Sequence, residues 1–188
     1  MSNKKVTLHT YHQASAYSSP WSRAQKLRML LWELSWMLMC RWTPKPMNAW
    51  RLMWLKVHGA KIYGYPFVHQ RARIAIPWNL TLHDRACLGD GAVAYSLGEI
   101  ELMQDSTVAQ EAYLCTGTHD FTSLARPLQT GKIVIGKSSF IGARAFVMPG
   151  VAVGDSAIVG ACSVVTKDVN ANACMAGNPA RIIGHISD

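Results

Sequence analysis

A chain of 188 residues, 49% of them apolar, is one ordinary domain with ample material for a core. Its five cysteines are scattered without a C-x-x-C pair, which excludes a disulfide framework and a zinc-finger spacing, and no signal-peptide pattern opens the chain, so a reducing, cytoplasmic setting is expected. Charge is uneven: Met1–Arg73 carries twelve Lys/Arg against one acid, Glu33 (net +11), whereas Ile74–Asp188 carries seven against ten (net −3).

The first elements read as helices. "SSPWSRAQKLRMLLWELSWMLMCRWTP", Ser18 to Pro44, starts on Ser-Pro, with Pro20 near the first turn, and stops at Thr43-Pro44. Trp32 and Trp36 lie four apart, as do Leu30 and Leu34, so like faces stack along it. A second helix, Met47 to His58, pairs Trp50 with Trp54 and ends at Gly59. The apolar run Met29–Cys40 contains Glu33 and is too short to span a bilayer, which takes about 20 residues. Residues 1–58 are therefore a basic, Trp-rich helical appendage. Two roles fit it together: capping the open edge of the larger C-terminal unit, and resting through residues 20–58 on an anionic membrane surface.

From Gly59 the rhythm changes. Ile135, Ile141, Val147, Val153, Val159 and Val165 fall every sixth residue, and four places after each stands a small or β-branched residue, from Ser139 to Val169. A period this short marks a β-solenoid of hexapeptide units, three to a triangular turn, so that Ile135 stacks over Val153 and Ile141 over Val159. Glycine follows most of these aliphatics, as turn conformations would favour. Earlier triplets (Ile62, Val68, Ile74; Leu82, Leu88, Ala94; Leu102, Val108, Leu114) are offset by eight, which implies a two-residue bulge at one corner per turn. Five triplets predict about five turns over residues 59–188, an all-β solenoid.

The rhythm fails once, between Leu114 and Ile135, where residues 117–132 predict a protruding loop that leaves at a corner and returns to it. It opens on "TGTHD". Inside the return, "GKIVIGKS" (Gly131–Ser138) satisfies the P-loop pattern literally, but Ile133 and Ile135 read as strand and no helix follows, so the match is accidental. His69, His83, His119 and His185 are not paired at short spacing, so no metal site is expected, and no nucleic-acid partner either.

The hexad array, "LCTGTHD" before a loop, "PWNLTL", "IGARAFVMPGVAVGDSAIVGACSVVTKDV", the ending "AGNPARIIG" and the Trp-rich start together resemble the hexapeptide-repeat O-acetyltransferases, the maltose, galactoside and nodulation group, and most of all their colanic acid biosynthesis branch. The resemblance implies a left-handed parallel β-helix, a homotrimer with sites between subunits, and transfer of acetyl from acetyl-CoA to a sugar hydroxyl of a saccharide or lipid-linked saccharide. His119 matches the catalytic histidine. A neutral imidazole near pH 7 can take the hydroxyl proton during direct attack on the thioester, with a backbone N–H receiving the oxyanion and no cysteine needed. By motif, acetyl-CoA would run past Ala143, Ala161, Thr166, Lys167 and Arg181, the last two pairing with its phosphates. On the acceptor side the family commonly carries an asparagine, where this chain has Ser96 beside Tyr95; Asp120 would orient the imidazole or bind sugar. A drug-modifying acetyltransferase of the same fold and a non-catalytic trimeric solenoid are the rival readings.

Overall fold

The computed structural model describes residues 8–13, 15 and 18–186, so the ends of the two predicted units, residues 1–7 and 187–188, with 14, 16 and 17, lie outside the described residues. The bulk of the chain is a parallel β-solenoid with three faces. The first face stacks Lys61–Ile62, Leu80–Leu82, Ile100–Leu102, Ile133–Ile135 and Ala152–Val153. The second stacks Phe67–Val68, Cys87–Leu88, Thr107–Val108, Phe140–Ile141, Ile158–Val159 and Ala173–Gly177, closed by the antiparallel Ala180–His185. The third stacks Arg73–Ile74, Val93–Tyr95, Tyr113–Cys115, Phe146–Val147 and Val164–Val165.

Register follows the hexads. Leu82 lies between Ile62 and Leu102, Ile135 between Leu102 and Val153, and Ile141 between Val108 and Val159. Their side chains fill the interior, as do the small residues Ser139, Ala145, Ala157 and Ser163 at the corners. The predicted bulge sits between third and first faces; in the first turn it is the 3₁₀ segment Pro77–Asn79.

Two details differ from expectation. Five turns are complete and a sixth is begun, by a bridge from Val153 to Val169 and by Ala173–Gly177 on the second face. Its inward residues Val169, Ala173 and Met175 do not keep the beat, so counting in sixes stopped one turn short. The glycines after the aliphatics are not there for turn conformation either. A Cβ on Gly136, Gly142 or Gly154 would lie 2.4–2.6 Å from a backbone nitrogen of the next turn, so close approach is what requires glycine. The left-handed region falls two residues later, on Ser138, Arg144 and Ser156.

Helix α1 (Arg23–Ser35) starts at Ser22, which forms a capping box with Gln25, and runs on through a π-helical turn, Trp36–Cys40. Helix α2 (Asn48–Val57) ends at Gly59, whose φ of +94° suits glycine. Both lie over the open edge of the first turn. Trp32 Nε1 donates to Ile74 O (2.7 Å) and Trp36 Nε1 to Ala72 O (3.2 Å). Asn48 exchanges two hydrogen bonds with Pro66 O and Val68 N, and Arg51 Nε donates to Val68 O (2.8 Å). These side chains satisfy carbonyl and amide groups that a preceding turn would otherwise pair.

Candidate active site

The predicted loop is a β-hairpin. Gly117–His119 and Leu128–Thr130 pair antiparallel, with His119 opposite Leu128. It leaves and re-enters at the corner between third and first faces, Gly131 N donating to Thr116 O at its root. An unforeseen third strand braces it: His9 and Thr10 pair with Thr130 and Gln129, and Gln13 Oε1 accepts from Leu128 N. This leaves His119 on the hairpin's open edge. Leu128 packs with Ile76 and Leu97 in a small apolar cluster flanked by Tyr11, Trp21 and Tyr95, so the hairpin root is firmly held.

The His119 imidazole is exposed, and its Nδ1 lies 2.8 Å from Arg126 O. A carbonyl only accepts, so Nδ1 carries the hydrogen, and in the neutral ring the lone pair is left on Nε2. Arg126 was missed from sequence because the group it contributes is a carbonyl that every residue has. Its φ of +42° turns the loop at that point, and no side-chain motif announces this.

Two of the acceptor-side candidates are engaged within the chain. Asp120 does not orient the imidazole: its Oδ1 accepts from Thr122 N (2.9 Å) and Thr122 Oγ1 (2.6 Å), and those bonds hold its carboxyl below the usual range. It braces the turn. Ser96 is fully buried, accepting from Ile76 N and donating to Ile76 O, both at 2.9 Å, so its hydroxyl is spent as a strut between turns rather than left for a substrate. Tyr95 is different: it stands at the hairpin root, 3.3 Å from where a Cβ on Gly117 would be, and lines an open cleft of about 640 Å³ between α1 and the third face. Trp21, Trp32 and Tyr113 share that cleft, with Arg41 and Arg73 among its polar residues. Burial pushes the Tyr95 hydroxyl's pKa upward, so it stays a donor.

Thr166 and Lys167 are exposed on the corner that releases the hairpin, one turn beyond Met148–Pro149. Ala143 and Ala161 lie instead on the corner between second and third faces, stacked so that Cys162 N donates to Ala143 O. Arg181 belongs with them, opposite Ala176, which sits above Gly160. One chain thus places the candidate groove residues on two corners separated by the width of the third face. "GKIVIGKS" is a strand, Ile133–Ile135, and the turn that follows it, with no helix N-terminus to cradle phosphate. Among the described residues, no group of three or more His, Cys, Asp or Glu is arranged to hold a metal ion.

Stacked hexad turns with a histidine-bearing hairpin at one corner define a hexapeptide-repeat transferase, and residues 132–167 match the family model described as bacterial transferase hexapeptide (six repeats). Over 157 residues, covering 84% of this chain and 86% of the relative, the sequence is 38% identical to the "Putative colanic acid biosynthesis acetyltransferase WcaF" of Escherichia coli K12. In fold it is similar to a hexapeptide-repeat acetyltransferase of Vibrio cholerae solved with acetyl-CoA (TM-score 0.80, 18% identity, 92% of this chain and 94% of that one). A maltose O-acetyltransferase of Clostridium difficile 630 is also similar (TM-score 0.76, 23% identity, 89% and 90%). The chain belongs to the hexapeptide-repeat acetyltransferase family and is an acyltransferase.

Proposed function

We propose that this protein transfers acetyl from acetyl-CoA to a hydroxyl of a saccharide, free or lipid-linked, in the building of a colanic acid-like surface polysaccharide. The observation that carries the reading is the His119 Nδ1–Arg126 O hydrogen bond on an exposed hairpin edge. It fixes the tautomer in which Nε2 can accept the acceptor's hydroxyl proton as the oxygen attacks the thioester carbon. Oxygen–carbon bond formation gives a tetrahedral oxyanion, and its collapse expels the CoA thiolate, which takes up the proton from the imidazolium. No acyl-enzyme forms. Burial holds the thiols of Cys40 (pKa about 11), Cys87 and Cys115 in their protonated, unreactive form.

Acetyl-CoA would lie along Ala143 and Ala161, whose small side chains let the pantetheine approach the turns, with Lys167 and Arg181 meeting its phosphates. Because those residues occupy two corners, the groove is closed by a neighbouring subunit of a trimer. The hairpin tip supports this, since Phe121 and Leu124 are left exposed beyond the imidazole, Leu124 fully so. The aromatic cleft at Tyr95 is the place for the acceptor, where rings can stack on a sugar. Work on a lipid-carried precursor would put the enzyme in the cytoplasm at the inner membrane face.

Thiol release from acetyl-CoA with a panel of saccharides tests the proposal. His119→Ala is expected to lower turnover by about 10²–10⁴-fold with acetyl-CoA affinity unchanged. Wild-type turnover in that variant would sink the role given to His119.

A further inference from the structure

A helix lying on a protein surface needs one apolar stripe, and the cap helices have two. Along α1, Met29, Trp32, Trp36 and Cys40 turn toward the solenoid. On the opposite side Leu27, Leu31, Leu34 and Leu38 repeat at helical spacing and are exposed, Leu38 at 60%. α2 repeats the arrangement: Arg51, Leu52 and Leu55 are buried, while Trp50, Met53 and Val57 face out. Trp50 Nε1 donates to Met39 O (2.8 Å) and sews the two outer faces together, and Trp42 in the connecting turn is 67% exposed. The inner faces already complete the cap, so the outer one is free for something else.

Cations accompany it. Arg23, Lys26, Lys45 and Lys56 are exposed and none is ion-paired among the described residues, Arg41 is turned to the cleft, and Glu33 is the one acid in residues 20–58. We propose that this outer face docks the protein on an anionic lipid surface, the helices lying in the headgroup layer and the solenoid standing away from it. No described helix is long and apolar enough to cross a membrane, so the contact lies along the surface. A second copy meeting this face with its own would set cation against cation, whereas an anionic leaflet offers the complementary charge. The inference rests on the membrane-side placement proposed above, and its readout is independent of acetyl transfer.

The test is flotation of the full chain with vesicles of phosphatidylcholine alone and vesicles enriched in phosphatidylglycerol. Wild type should float with the anionic vesicles only, and raised salt should weaken this about tenfold. Leu31→Ser/Leu34→Ser/Leu38→Ser should abolish flotation, and so should Lys26→Glu/Lys45→Glu/Lys56→Glu, whose exposed sites do not threaten folding. His119→Ala should float like wild type, so a failed chemistry would leave this result standing. Wild type that stays down with anionic vesicles overturns the proposal. So does a serine variant whose mass in solution, by light scattering, falls below that of wild type, because the face would then have been covered by another copy.

Discussion

Leu102 sits between Leu82 and Ile135, and the backbone around each of the three is paired to the turn before and the turn after. The first turn has a neighbour on one side only, and over its other side Trp32, Trp36, Asn48 and Arg51 supply the missing donors and acceptors one side chain at a time. Interior turns share their support among many equivalent groups. The cap concentrates it in a few polar atoms, each at a single position. The stack thus repeats one kind of apolar contact and ladder pairing, whereas the cap adds to its buried Trp and Leu side chains hydrogen bonds made at single positions, and substitutions should separate the two.

The largest loss is expected in the stack. Leu102→Ala removes a fully buried side chain between two others and should cost about 3–5 kcal/mol in urea unfolding, because the flanking turns cannot collapse into the gap. Arg51→Met comes next. Its guanidinium is buried, and burial lowers its pKa, yet it donates to Val68 O, Thr43 Oγ1, Pro44 O and Lys45 O. Replacing it leaves those acceptors unpaired at a cost of about 2–3 kcal/mol, with volume nearly kept. A loss as small as that of a surface substitution would mean the cap is held by packing after all.

The smallest effect lies on the outside of the first face, where Glu101 accepts from Lys132 Nζ (2.8 Å) and lies 3.0 Å from His83 Nε2. These partners, Lys132 first, hold the Glu101 carboxyl below its ordinary pKa. Its contribution is therefore present above the unfolded value, about 4.3, and lost as pH falls through the lower folded one. Glu101→Gln should lower stability slightly near neutrality, by less than about 1 kcal/mol in thermal unfolding, and match wild type in acid. A gap that persists in acid would point to shape rather than charge.

The stack was legible in the sequence because each inward position is filled by the same kind of residue at a fixed interval, and stacking demands nothing more specific. Even the 33-residue step from Leu102 to Ile135 announced itself, as a lapse in that interval. The rest of the site was not legible, since it depends on unique contacts. Nothing in "TGTHD" says that Arg126 O will hold the ring. Nothing near Ser96 reveals that Ile76 uses both sides of its hydroxyl, and the strand His9–Thr10 meets its partner only after 119 residues of chain. The cap helices were visible through their Trp and Leu spacing, but their two opposed apolar faces emerge only once the burial of each side is known.

The hairpin leaves between the third and fourth turns, and turns rise by about 4.8 Å each, so its root stands roughly 12 Å above the first turn. A cap helix about 10 Å thick brings the distance from the docked face to roughly 20 Å. With that face on a leaflet, the solenoid becomes a gauge. It would hold the hairpin root at that height above the headgroups.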